Sequence, residues 1–164
     1  MKLQLVVGLS TLAAMLAACS TSHGPVESRS DSSARVEARV ETTRDGTSTA
    51  RTLAAYKEDL AQRICETNST KVYVSRPQAL LRGVIVVKFV VDANGKLISS
   101  EITRGNRDGA IEATALASLR STAPFPKPAS NLLRNGRVEL SETWLFNNDG
   151  RFQIRSIAQP QMSE

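Results

Sequence analysis

Histidine occurs once in the 164 residues, cysteine twice and tryptophan once, and aromatic side chains make up only 4%. The lone imidazole, His23, stands in a Ser/Thr-rich stretch with no partner for acid–base or metal chemistry, and no nucleophile triad, carboxylate-pair motif or phosphate loop can be read elsewhere. Few aromatic rings leave little for bases to stack on, which excludes nucleic acid as a partner and predicts an aliphatic core. No cofactor is implied, and the expectation is a protein that is not an enzyme. Mean hydropathy is −0.20, and after the first twenty positions no apolar run reaches the ~18 residues that a spanning helix requires. The formal charge of +5 is spread rather than clustered. Residues 20–50 are nearly balanced, so the excess belongs to scattered residues such as Arg63, Arg82, Arg104, Arg134 and Arg155. Scattered charge reads as solvated surface, with a weaker preference for anionic partners.

The N-terminus carries the most specific pattern. Lys2 precedes an apolar segment, Leu3 to Leu16, that is too short to span. Leu16-Ala17-Ala18-Cys19 then places small residues before a cysteine, and this resembles the bacterial lipobox. The resemblance implies a signal peptide over 1–18 and an acylated Cys19 (diacylglycerol thioether plus a palmitate-type N-acyl chain), an anchor of the multi-chain kind that holds stably to a membrane. Ser20, rather than aspartate, follows the cysteine, which by the same resemblance implies the Gram-negative outer membrane, facing the periplasm. An ordinary secretory signal cleaved nearby is the alternative. With Cys19 acylated, Cys65 is left without a partner in an oxidising compartment: it reads first as a buried small hydrophobe, and second as one half of an intermolecular disulfide.

Residues 19–50 read as the lipidated cysteine and a tether, rich in Ser, Thr, Arg and Glu and nearly free of large apolar groups. Residues 51–158 read as one α+β domain, a small antiparallel three- to four-stranded sheet packed on two helices, and 159–164 as a loose tail. Leu53, Tyr56, Leu60 and Ile64 fall on one helical face. In GVIVVKFVVD, Ile85, Val87, Phe89 and Val91 share one face of a strand. Val84, Val86 and Val90 make the other face too apolar for full solvation, so it is partly covered or the strand is central. Asn94-Gly95 predicts a tight hairpin turn with both residues at positive φ. After a cap at Asn106 or Asp108, a second helix presents Ile111, Ala115 and Leu119, and Pro124, Pro126 and Pro128 end it around Phe125, read as a core plug. Arg137 to Phe146 is the third strand. Val138, Leu140, Trp144 and Phe146 share a face with Glu142, so that glutamate is near an edge or a bulge shifts the register. Phe152 and Ile154 alternate in a short fourth strand.

The order helix, strand, Asn-Gly hairpin, strand, helix, PFP loop, strand, carried by VIVVKFVVDANGKLISSEITRG, DGAIEATALASLR and APFPKPA, resembles the C-terminal domain of the TonB and TolA families over about 70 residues. That resemblance implies a fold that binds rather than catalyses, recruiting an extended peptide at the exposed edge of its third strand. The candidate partner-binding residues are Val138, Leu140, Glu142 and Trp144. Residues 151–157 can hairpin back over that edge, in which case binding displaces them or uses another surface. TonB energy transducers begin with an uncleaved membrane helix and a Pro-rich rod, and here a lipobox and a short linker stand in their place, so energy transduction is not carried over. The expected function is an envelope lipoprotein whose periplasmic domain binds an envelope protein. The alternative is a structural lipoprotein that contacts peptidoglycan or supports an assembly. A homodimer through the Val84/Val86/Val90 face or a strand edge is a further option.

Overall fold

Alternation of buried and half-buried residues along Gly83–Asp92 makes β1 the strand on which the sheet is built. The structure, a computed structural model, describes residues 40–163. The lipobox, Cys19, His23 and most of the tether lie outside them. β1 pairs on one side with β2 (Leu97–Arg104) and on the other with β3 (Arg137–Phe146), and β4 (Phe152–Ile154) pairs with β3, giving the antiparallel order β2-β1-β3-β4. The fold is α+β, as expected. Helices α1 (Leu53–Thr67) and α2 (Gly109–Thr122) supply Tyr56, Leu60, Ile64, Ile111, Ala115 and Leu119 to the core formed on the Ile85/Val87/Phe89/Val91 face. Leu53, which the helical spacing assigns to the buried face, is instead 47% exposed, one turn short of the packing. The opposite face of β1 is half-buried, and β1 is central, which accounts for its second apolar stripe.

Most of the core is aliphatic, as the low aromatic content predicts, but it also takes in most of the rings. All four phenylalanines, Trp144 and Tyr56 are buried in it, so the few rings the chain has are concentrated where they bury most area. Phe125 plugs the core against Phe89, ring centroids 6.1 Å apart. Trp144 meets α2 through a polar contact, its Nε1 donating to Ser118 Oγ at 3.0 Å. Asn68, just past α1, donates to the carbonyls of Ile64 and Ser118, so one buried amide ties the two helices together.

The β1–β2 turn departs from expectation. Gly95 alone has positive φ (+80°), and Asp92 Oδ1 accepts from the N–H groups of Asn94 and Lys96. The aspartate side chain thus organises a turn in which the asparagine keeps an ordinary conformation. α2 is capped by Asp108, whose carboxylate accepts from Ala110 N–H at 3.1 Å and pairs with Arg82 at 2.8 Å.

Two stretches that sequence composition assigns to tether and tail pack on the domain. Thr42 and Ser48 bridge across a turn, Ser48 N–H donates to Lys127 O, and Lys127 N–H donates to Gly46 O, each bond 2.9 Å. The Pro-rich loop supplies the free backbone groups that order this polar segment. At the other end, Met162 N–H donates to Pro77 O at 3.0 Å, and Gln161 donates to the carbonyls of Gln78 and Ala79.

Candidate partner-binding edge

Ten consecutive pairs join β3 to β1, from Arg137↔Asp92 to Phe146↔Gly83, with no shift in register. No bulge therefore removes Glu142 from the core-facing set, and Glu142 is not at a solvent-exposed edge position either. It is 2% exposed. The same parity buries Val138, Leu140 and Trp144. All four residues that the sequence nominates for partner contact thus point beneath the helices, and what they share with the edge is their strand and not their side chains. The outward residues are Arg137, Glu139 and Ser141, all exposed, with Glu139 held by Lys88 at 3.1 Å.

Backbone alternation decides which groups the edge offers. Gly136 and Phe146 carbonyls accept from the β1 side, at Ala93 and Arg82, so the odd-numbered residues of β3 direct N–H and C=O away from β1. β4 uses Leu145, opposite Gln153, and Arg155 N–H takes the carbonyl of Thr143 at 2.9 Å. At the far end Arg134 and Arg137 exchange hydrogen bonds of 2.8 and 3.1 Å. Between them lie Glu139 and Ser141, where among the described residues no strand pairs with the outer side of β3.

Glu142 closes the covered half. Its carboxylate accepts from Thr143 N–H at 2.6 Å, from the Ser156 hydroxyl, and lies 3.7 Å from Lys57 Nζ. The chain leaves β3 at this point, since Ile157 N–H and Ala158 N–H turn back to Ile154 and Arg155 carbonyls. Burial pushes the Glu142 carboxyl above its ordinary range, against the pull of Ser156, Thr143 and Lys57. A carboxyl whose native pKa is raised contributes stability that is fully present in acid and is lost as pH climbs from the ordinary glutamate pKa through the raised one. The stability of the native chain minus that of Glu142→Gln, from urea unfolding, is therefore expected to fall with rising pH across that window; a flat or rising difference would contradict the assignment.

β4 is not a removable cover. Phe152 and Ile154 are 0% exposed, and lifting them also uncovers Trp144 and Phe146. At about 1.5–3 kcal/mol for each large apolar side chain, that loss approaches the stability of a small domain. The other sheet edge, β2, has no further strand among the described residues, and irregularities at Val86/Val87 and Val90/Val91 twist it.

Cys65 is half-buried against the core, and burial pushes its thiol up to about 12. That environment holds it in the unreactive thiol form. Among the described residues no group of three or more His, Cys, Asp or Glu side chains can hold a metal ion, and no helix is long and apolar enough to cross a membrane. The free positions Glu139 and Ser141 were missed because the apolar pattern draws attention to the even positions. Counting parity outward from Trp144 finds them, whereas no sequence signal announces Ser156 as the partner of Glu142.

No family model matches the chain, and no solved structure matches it. A stretch of 71 residues, 43% of the chain, is 34% identical to Protein TonB of Pseudomonas putida. The match covers 29% of that protein, so the chain spans less than a third of the relative's length. Over that stretch the chain is TonB-like, and the sheet edge just described stands on an α+β domain of the kind that likeness implies.

Proposed function

We propose that this chain is an envelope lipoprotein, anchored through Cys19 to the outer membrane and facing the periplasm, whose domain binds a protein partner by adding the partner's strand to the free half of β3 without energy transduction. The observation that carries the reading is the interval between Arg137 and Thr143, where Glu139 and Ser141 present backbone donors and acceptors on an edge that β4 leaves uncovered. A strand laid there takes its affinity from main-chain bonds and its selectivity from side chains beside Arg137, Glu139 and Ser141. β4 stays in place throughout, because its two apolar side chains belong to the core. The Leu16-Ala17-Ala18-Cys19 pattern supports the anchor, and a lipid anchor offers no route to a motor in the inner membrane.

Photo-crosslinking in cells tests this. A benzophenone amino acid at Glu139 or Ser141 of the full chain is expected to yield a protein adduct identifiable by mass spectrometry, and one at Ser99 on β2 is not. Ser141→Pro, which removes one outward N–H from an edge position where proline is tolerated, is expected to weaken capture about tenfold with little change in stability. Adducts from Ser99 alone, or capture unchanged by Ser141→Pro, would overturn the assignment to β3. Co-sedimentation with purified sacculi and no protein adduct would favour the structural, peptidoglycan-contacting role.

A further inference from the structure

Residues 34–41 read Ala-Arg-Val-Glu-Ala-Arg-Val-Glu. Spaced as a helix, they set Arg35 against Arg39 and Glu37 against Glu41, like charges four residues apart. Spaced as a strand, they separate into two faces, Ala34, Val36, Ala38 and Val40 on one and Arg35, Glu37, Arg39 and Glu41 on the other. The pattern is that of a half-buried strand. It stands where the chain enters the domain, Val40 being the first described residue.

That point of entry is at the end of the sheet where β3 begins. Glu41 O accepts from Thr49 N–H at 3.2 Å, and just beyond it Arg51 O accepts from Asn131 Nδ2 at 3.0 Å, in the loop that leads into β3 at Arg137. Farther along α1, Lys57 Nζ stands 3.7 Å from Glu142 on β3. Leu53, one turn before Lys57 and on the same side of the helix, is 47% exposed. An apolar residue of α1 thus stands uncovered at the helix end nearest the start of β3, whose backbone groups at Glu139 and Ser141 are unused among the described residues.

We propose that residues 34–40 of the same chain form a fifth strand on the open half of β3, antiparallel to it, with Arg39 opposite Glu139 and Glu37 opposite Ser141. Direction follows from the point of entry: the segment finishes at the end of the sheet where β3 starts, so it runs against β3. Arg137 already exchanges bonds with Arg134, so pairing starts at Glu139. Register follows from parity and charge. With Arg39 opposite Glu139, Ala38 and Val40 fall beside Leu140 and Val138 on the helix side, and opposite charges meet on the outer side. A slip of one residue turns the valines outward; a slip of two puts Glu37 or Glu41 against Glu139. Seven residues in strand geometry span ~23 Å, enough to line the interval from Arg137 to Thr143. Direct attachment to the domain holds the segment at a high effective concentration. The strand rests on the same edge as the partner reading and supplies its regulation: the segment shields the edge of an unoccupied chain, and a partner gains the site by displacing it.

The test is amide hydrogen exchange by NMR on the full chain carrying Cys19→Ser, against the same chain with Glu37→Pro and Arg39→Pro, which removes the two N–H groups that this register turns toward β3. The N–H groups of Glu139 and Ser141 are expected to exchange about tenfold faster in the proline variant. Those of Leu140 and Glu142, which face β1, are expected to stay unchanged and report an intact fold. Close contact between the α-protons of Ala38 and Leu140, a non-hydrogen-bonded pair, is expected in the native segment alone. Equal exchange in the two chains, or helical chemical shifts over residues 34–40, overturns the strand. Contacts seen only between differently labelled molecules assign the strand to a second copy and overturn its placement on its own chain. None of these measurements needs a partner. In cells, the yield of adduct from Ser141 is expected to rise severalfold in the proline variant. An unchanged yield overturns the regulatory role, and no adduct from either chain overturns the partner reading while leaving the strand in place.

Discussion

Replacing Trp144 by alanine is expected to remove about 3–5 kcal/mol of stability, the largest loss of any single substitution considered. The indole is 0% exposed near the end of β3, where it lies in the core and reaches Ser118 on α2. The cost has two parts. One is the cavity left by the largest side chain in the core; the other is Ser118 Oγ, which loses the donor that now reaches it at 3.0 Å. Ser118 retains its own bond to Ala115 O at 2.9 Å, so the hydroxyl is not orphaned and the cavity is the dominant loss. At several degrees for each kcal/mol in a domain of this size, the melting midpoint is expected to drop by roughly 10–20 °C in calorimetry. Trp144→Phe, which keeps most of the volume, should recover the greater part of that drop; if it is as damaging as alanine, the packing described for β3 is wrong.

Gly95→Ala is expected to cost about 3 kcal/mol, and the comparison with Gly136→Ala shows why. Both glycines lie at positive φ, +80° and +74°, where a Cβ costs about 1–2 kcal/mol in either case. Around Gly136 nothing lies within 4 Å of the added carbon, so that strain is the whole effect. At Gly95 the carbon would fall 2.0 Å from Phe125 O, and the backbone there cannot step aside without breaking Phe125 N–H to Gly95 O, 2.8 Å, and disturbing the loop that Tyr56 holds through Pro126 O at 2.7 Å. Urea unfolding of the two variants measures the difference directly. Equal losses would mean that the hairpin does not lean on the Pro-rich loop.

How much of this the sequence discloses depends on whether a residue's fate is decided locally. The alternation in GVIVVKFVVD and the spacing of Tyr56, Leu60 and Ile64 belong to single elements, and the elements appear where the periods place them. Glu142 is different. Its period assigns it to the core and its charge argues against burial, and what resolves the conflict is a hydroxyl 14 residues away, on a turn after β4, together with a lysine on α1. Pairing across such distances leaves no periodic trace. The candidate edge shows the same divide. The choice of β3 as the candidate edge comes from the family likeness of its surroundings, whereas the split of its outer side into a covered and an open half is set by where β4 stops, and a three-residue strand is too short to declare its own end. Glu41–Ala50 misleads for a third reason. Its composition lacks apolar groups, and its order comes from carbonyls and amides that another segment leaves free.

The burial of the chain's one tryptophan also gives the protein a built-in optical reporter. With Trp144 sealed against Ser118 and absent from any surface, its emission sits in a dry environment and moves to longer wavelength only when the core opens. A partner strand seated at Glu139 and Ser141 leaves that environment dry. Intrinsic fluorescence therefore distinguishes occupancy from unfolding in titrations with partners that carry no tryptophan: a red shift on adding such a partner signals a damaged core, and a silent spectrum accompanied by a crosslink signals binding.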